Sequence, residues 1–151
     1  MTLNELLHER SSSIIDQACH AVVRSHVKSY DKEGMEHTHQ KVRALYVLTA
    51  RAVKEKNLGP MIAHAEAIAR ERYSAGFDLW EVQTAFNVLE EGIWKQVLSE
   101  LPPTEVGEAL GLVSTVLGAG KDALARRYVS LASKTMAPSL NLQSLFSGCE
   151  S

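Results

Sequence analysis

The sequence has 151 residues, of which 45% are hydrophobic and 23% are charged, a composition typical of one globular domain with a buried core. With a formal net charge of −2, the chain lacks the positive field that non-specific nucleic-acid binding requires. No apolar run approaches the roughly 18 residues of a membrane span, and the first residues do not resemble a signal peptide. We therefore expect a cytoplasmic protein that binds neither membranes nor nucleic acid.

The first helical pattern runs from residue 3 to about residue 28, with apolar side chains at spacings of three, four and seven. Three serines at 11–13 interrupt it, and Ser13 with Asp16 is suited to begin a new helix. We expect either a short helix followed by a longer one or a single bent helix. Cys19 lies beside the apolar stripe and is interpreted as a small buried thiol.

The first polar interruption covers residues 29–40 and contains two closely spaced histidines. His37 and His39 can share a metal ion from an extended segment, because alternate side chains of a strand lie on one face. No further ligand follows at a recognised spacing, so we predict neither a metal site nor a cofactor. An alternative stays open, in which a helical bundle binds a small ligand or a metal through these histidines and through His20 or His26.

Two helices are predicted next, over residues 42–56 and 61–73, with Pro60 suited to the first turn of the second. His64 lies on this second helix. A single histidine on a helix is usually partly exposed or hydrogen-bonded in the core, and nothing else in the sequence marks a haem pocket. We therefore interpret His64 as structural.

The segment from Gly76 to Val82 predicts the end of one helix, a tight turn and the start of another. Gly76 is suited to close the first helix, and Asp78 with Glu81 forms a potential capping box for the second. The new helix runs to about residue 98 with a wide apolar face, so we expect it to be central or to contact a partner. The candidate pocket residues on this helix are Phe86, Ile93 and Trp94.

The last helix is predicted from residue 105 to about residue 136, after the break at Pro102 and Pro103. Its apolar residues keep the four-three rhythm of a helix–helix seam. Glycines at 107, 111, 118 and 120 indicate either a close helix crossing or a break near residues 118–120. Because the helix is long for so small a domain, we expect self-association, and the candidate interface residues are Leu110, Val113, Leu117 and Leu124.

The domain boundaries follow from these elements. We expect one all-α domain over residues 1–137, a single helical bundle with a long C-terminal helix, and a mobile tail over residues 138–151. The tail contains Cys149, and two cysteines so far apart in sequence do not indicate a disulfide framework.

Residues 69–89, ARERYSAGFDLWEVQTAFNVL, resemble the N-terminal domain of the RsbR/RsbRD-type co-antagonists. In that family a junction of the form R…G-x-(S/D)-L-x-E-V joins two helices, and the resemblance extends over about residues 3–135. It implies an all-helical, globin-like or RsbR N-terminal-like sensor domain that lacks haem and dimerises. It also implies output through STAS or histidine-kinase modules, although no output domain follows in this chain.

We therefore interpret the chain as a non-enzymatic sensor or regulatory domain of bacterial stress signalling. It would form a homodimer and pass a ligand- or partner-induced change in helix packing to an output partner, such as a STAS protein or a kinase. Neither a nucleophile–base set nor a nucleotide-binding loop is present. The remaining enzyme hypothesis places a site at Glu66, Arg70, Arg72 and Tyr73.

Overall fold

The computed structural model describes residues 1–25 and 34–140, with side chains through residue 134. These residues contain helices and no strands, so the predicted all-α class and the long C-terminal helix are confirmed. The helices are α1 (Leu3–Glu9), α2 (Ser11–Arg24), α3 (Met35–Glu55), α4 (Gly59–Ser74), α5 (Leu79–Glu100) and α6 (Pro103–Leu140). In the described parts of the chain, every helix is too short or too polar to cross a lipid bilayer.

The chain breaks between α1 and α2 at Arg10, which is the N-cap of α2 and makes no side-chain capping bond. The prediction that Ser13 begins the second helix is therefore wrong. Arg10 instead reaches the end of α5, where its Nη2 lies 2.8 Å from Oε1 of Glu100. This hydrogen-bonded ion pair lowers the pKa of the Glu100 carboxyl. The break at Arg10 therefore has no side-chain cap, and Arg10 makes its ion pair with a distant element.

Helix α3 begins at Met35, seven residues before the predicted start at residue 42. Gly34 precedes it with a φ of +87°, and the hydroxyl of Thr38 donates to the Gly34 carbonyl at 3.1 Å. Among the residues of this first part of α3, through Lys41, Thr38 is the buried one. The hydrophobic pattern therefore carries no helical period there, which is why it predicts the helix only from residue 42 and leaves residues 35–40 as a loop or a helix start.

The turn between α4 and α5 has the predicted construction. Gly76 takes a φ of +85°, and the amide of Phe77 donates to the Arg72 carbonyl at 3.0 Å, which is the bond pattern of a Schellman motif. Asp78 then caps α5, and its amide donates to Oε1 of Glu81 at 2.9 Å in a capping box. Residue chemistry alone therefore specifies this turn.

Helix α6 is continuous over 38 residues, or about 57 Å at 1.5 Å per residue. It packs chiefly against α4 and α5, while α2 packs against α3 and α5. Of the four glycines in α6, Gly120 alone lies at a close crossing, and the helix does not break at residues 118–120. It also extends to Leu140, beyond the predicted end near residue 136 and into the segment predicted as a tail, whose remaining residues 141–151 lie outside the described range.

Candidate functional site

A cavity of about 180 Å³ lies between α3, α4 and α5. Its wall is mainly apolar and comes from all three helices. The apolar residues are Ala44, Leu45, Ile68, Val82, Ala85 and Phe86. The polar lining residues are Gln40, Lys41, His64, Glu71 and Arg72. An apolar cavity with a few converging polar groups is the usual form of a small-molecule site.

His64, one of the lining residues, contains an unusual buried atom. Its Nε2 is buried and has no hydrogen-bond partner among the residues that the structure describes. A buried polar atom without a partner costs about 1–3 kcal/mol, and most such atoms in folded proteins are paired. Burial lowers the pKa of the imidazole, and the nearby Glu71 carboxylate opposes that shift only in part. The lowered pKa favours the neutral imidazole at physiological pH, and its Nε2 is an unpaired polar atom within the packed interior.

Two cations of the cavity wall contact the aromatic ring of Phe77 in the α4–α5 turn. The Arg72 guanidinium lies 4.8 Å from the ring centroid, and Nζ of Lys41 lies 5.6 Å from it. Arg72 is only 4% exposed, so its side chain belongs to the packed interior of the domain. These contacts link the wall of the cavity to the turn that the sequence motif specifies.

The same turn is attached to the long helix α6. The Tyr128 hydroxyl donates to the Phe77 carbonyl at 3.1 Å, and its ring packs edge-on against Tyr73 with centroids 5.7 Å apart. These two contacts attach the turn to the C-terminal half of α6.

A second connection to α6 runs through Phe86. The ring of Phe86 lines the cavity and also faces Gly120, where an added Cβ would lie 2.8 Å from its Cε1 and 3.0 Å from Sδ of Met61. Real Cβ atoms essentially never approach so closely, so the crossing of α4, α5 and α6 depends on glycine at this position. One aromatic ring thus separates the cavity from the backbone of the longest helix.

The candidate pocket residues lie in three different environments. Phe86 lines the cavity. Ile93 is fully buried in the core, and Trp94 is 38% exposed on the surface of α5. The cavity does not include the latter two.

The candidate interface residues on α6 face the interior of this chain. Val113, Leu117 and Leu124 are fully buried, and Leu110 packs partly buried against the same core. In this conformation their side chains are covered by the chain's own helices. Among the residues of α5 and α6 whose side chains are described, the large exposed apolar ones are instead Trp80, Trp94, Leu98 and Val129.

The histidines of the metal alternative are not gathered in one place. His37 and His39 both lie on α3, His20 is exposed on α2, and His26 lies outside the described residues. Nε2 of His39 is 3.3 Å from Oδ1 of Asp16. Within residues 1–25 and 34–140, no three histidine, cysteine or acidic side chains form a group suited to a metal ion.

The four residues of the enzyme hypothesis also lie in different places and do not line one common cavity. Glu66 lines a different cavity, between α4 and α6, and Arg70 is exposed. Arg72 lies at the His64 cavity, and Tyr73 packs on Tyr128.

Cys19 is buried, as its place beside the apolar stripe predicts. Burial, together with the neighbouring Asp16 carboxylate, raises its thiol pKa to about 11. The thiol is therefore protonated and unreactive at neutral pH.

Sequence reasoning did not identify His64 or Arg72 as residues of the cavity. One signal for them exists, since His64, Ile68 and Glu71 follow a helical i, i+4, i+7 spacing and so share one face of α4. The spacing does not show that this face meets α3 and α5, because that depends on how distant helices pack.

The fold defines the chain as an all-helical domain built on a long C-terminal helix. The sequence model of the family described as the RsbT co-antagonist protein rsbRD N-terminal domain matches residues 12–134. The chain belongs to this family, and the resemblance expected from residues 69–89 is confirmed. Comparisons with curated proteins and with solved structures give no significant match.

Proposed function

We propose that the chain is a non-catalytic sensor domain of bacterial stress signalling. The proposal is that occupancy of the His64 cavity changes the packing of α6, and that α6 passes this change to an output partner. Membership of a family named for RsbT co-antagonists supports a regulatory role. The observation that carries the proposal is the position of Phe86 between the cavity and Gly120 of α6.

The path from the cavity to α6 is physically short. A molecule entering the cavity contacts Phe86, and the Phe86 ring lies so near Gly120 that a Cβ added there would be 2.8 Å from its Cε1. Closely packed interiors transmit displacements instead of absorbing them. The attachment of the α4–α5 turn to Tyr128 gives a second route to the same helix.

A cavity-filling variant tests this transmission without knowledge of the natural ligand. Ala85→Leu places a larger side chain on the cavity wall, and amide hydrogen exchange reports the local stability of each helix. We expect exchange to change in α6 around residues 117–128 as well as in α3–α5. Ala63→Leu is the matched control, because Ala63 is exposed on α4. A change confined to α3–α5 would show that the cavity is not connected to α6.

The proposal includes a homodimer that uses the outer surface of α5. The support is the exposure of Trp94 and Leu98, at 38% and 62%, since large apolar side chains on one helix are typical of contact surfaces. The four candidate residues on α6 would then support the dimer from inside the subunit. Size-exclusion chromatography with light scattering at micromolar concentration should show a dimer, and Leu98→Glu should weaken it. A strict monomer would contradict this part of the proposal.

The family name supports a regulatory protein as the output partner. RsbT, a STAS protein or a kinase is the proposed class of partner, contacted through the C-terminal part of α6. Isothermal titration of RsbT into the wild-type chain and into the Ala85→Leu variant tests the assignment. The proposal predicts binding whose affinity differs between wild type and variant.

A further inference from the structure

A second concave site, the α4–α6 groove, lies on a different face of α4 from the His64 cavity. Its volume is about 340 Å³, at the lower end of the range of small-molecule sites. The apolar lining residues are Ile62 on α4 and Ala119 and Ala123 on α6. The polar lining residues are Glu66, Asp122, Arg126, Arg127 and Ser130. Apolar and charged groups from both helices therefore meet in one small space.

Arg127 is the unusual cation of this groove. Arginine side chains are seldom buried unless they are paired, yet Arg127 is half-buried and forms neither an ion pair nor a hydrogen bond with any described residue. Its Nε is buried, whereas its two terminal nitrogens, Nη1 and Nη2, stay accessible. These terminal nitrogens can therefore bind an anionic group that enters the groove.

Glu66 supplies an anion on the opposite wall of the groove. It is exposed on α4 and forms no ion pair with any described residue, Arg127 included. The other two charges of the lining already neutralise each other, because Nη2 of Arg126 lies 3.1 Å from Oδ2 of Asp122. The groove therefore presents one unmatched guanidinium from α6 and one unmatched carboxylate from α4.

This pair of unmatched charges favours a ligand that carries both signs. A simple anion would pair with Arg127 but would also lie near the Glu66 carboxylate, and a simple cation would meet the reverse arrangement. A zwitterion brings the opposite charge to each wall and has no net charge. A short aliphatic group between its charged ends would contact the apolar lining of the groove.

We propose that the α4–α6 groove binds a free amino acid with a short aliphatic side chain. Arg127 pairs with the carboxylate of the ligand, and Glu66 pairs with its ammonium group. The ligand thus joins α4 to α6, because its two charged groups bind to different helices. The inference goes beyond the proposed function and does not depend on it, since the groove shares no lining residue with the His64 cavity.

The test compares L-valine with isovalerate, which lacks the ammonium group, and with isobutylamine, which lacks the carboxylate. NMR titration of the full, isotope-labelled chain measures each affinity. L-Valine should bind about tenfold more tightly than either analogue, the advantage of one charge-assisted hydrogen bond. In Arg127→Gln, L-valine should lose its advantage over isobutylamine. In Glu66→Gln, it should lose its advantage over isovalerate.

Arg70→Gln is the matched control, because Arg70 is exposed on α4 and does not line the groove. This variant should keep the preferences of the wild-type chain, and circular dichroism establishes that all three variants are folded. Equal binding of L-valine and either analogue to the wild-type chain would overturn the inference, as would a preference that neither groove variant changes. No detectable binding of L-valine to the wild-type chain would also overturn it.

Discussion

At the scale of single residues, the glycines of α6 show how one residue type serves different purposes. A Cβ at Gly120 would lie 2.8 Å from Phe86, whereas Gly107, Gly111 and Gly118 have no atom within 4 Å of such a Cβ. The sequence marks all four glycines as candidates for a close helix crossing. Their spacing along the helix does not reveal which of them lies against another helix. That distinction depends on the positions of Phe86 and Met61, which are distant in sequence.

Gly120→Ala should destabilise the domain by about 1–3 kcal/mol, because the added methyl group overpacks the contact between α5 and α6. Gly118→Ala is the matched control two residues away. It should stabilise the domain by about 0.5–1 kcal/mol through helix propensity, since its Cβ meets no neighbour. Urea denaturation of both variants measures these changes. Equal effects of the two substitutions would show that Gly120 is not a packing site.

His64 gives the domain a defined dependence on pH. Burial lowers its pKa in the folded chain, whereas in the unfolded chain the pKa is near 6.5. Below about pH 6.5 the unfolded state therefore binds more protons at this residue, and the free energy of unfolding falls as the pH falls towards the folded-state pKa. The full contribution is present above pH 6.5.

Urea denaturation at pH 7.5 and pH 5.0 measures this effect. His64→Gln removes the titrating group, so the variant should lose less stability than wild type between the two pH values. The other ionisable groups are common to both proteins and cancel in the comparison. An identical loss in both proteins would mean that His64 is not buried in its neutral form.

At the scale of helices and turns, local chemistry was informative where the chain caps its own ends. The α4–α5 turn was predicted correctly from Gly76, Asp78 and Glu81, because each residue acts within a few positions of itself. The start of α3 was missed, since its first residues bury only Thr38. The sequence places the start of the second helix at Ser13 and not at Ser11, because the real start at Arg10 has no side-chain cap that a sequence pattern could reveal.

The left-handed backbone at Gly76 predicts the effect of substituting it. Gly76→Ala should cost about 1–2 kcal/mol, because an L side chain at positive φ approaches the following carbonyl oxygen. Gly107→Ala serves as the control, since Gly107 lies within α6 with open space around it. Thermal unfolding should show a lower midpoint for the first variant and a slightly higher one for the second. A neutral Gly76→Ala would contradict the role of this turn.

At the scale of the whole molecule, apolar periodicity predicts an all-helical domain, and the resemblance of residues 69–89 predicts the family. Both depend on local stretches of the sequence. The cavity was not predictable in the same way. His64, Arg72 and Phe86 come from helices whose relative positions depend on the packing of α6 against α4 and α5. The long-helix prediction is confirmed, but its apolar seam is covered by the chain's own helices and not left exposed.

The account depends on Phe86 as the physical link between the cavity and α6. The most direct test measures amide hydrogen exchange in α6 for Ala85→Leu, for Phe86→Leu and for the double variant. If the ring transmits the change, the effect of Ala85→Leu on residues 117–128 will be present in the wild-type background and strongly reduced in the Phe86→Leu background. An effect of equal size in both backgrounds would contradict the account.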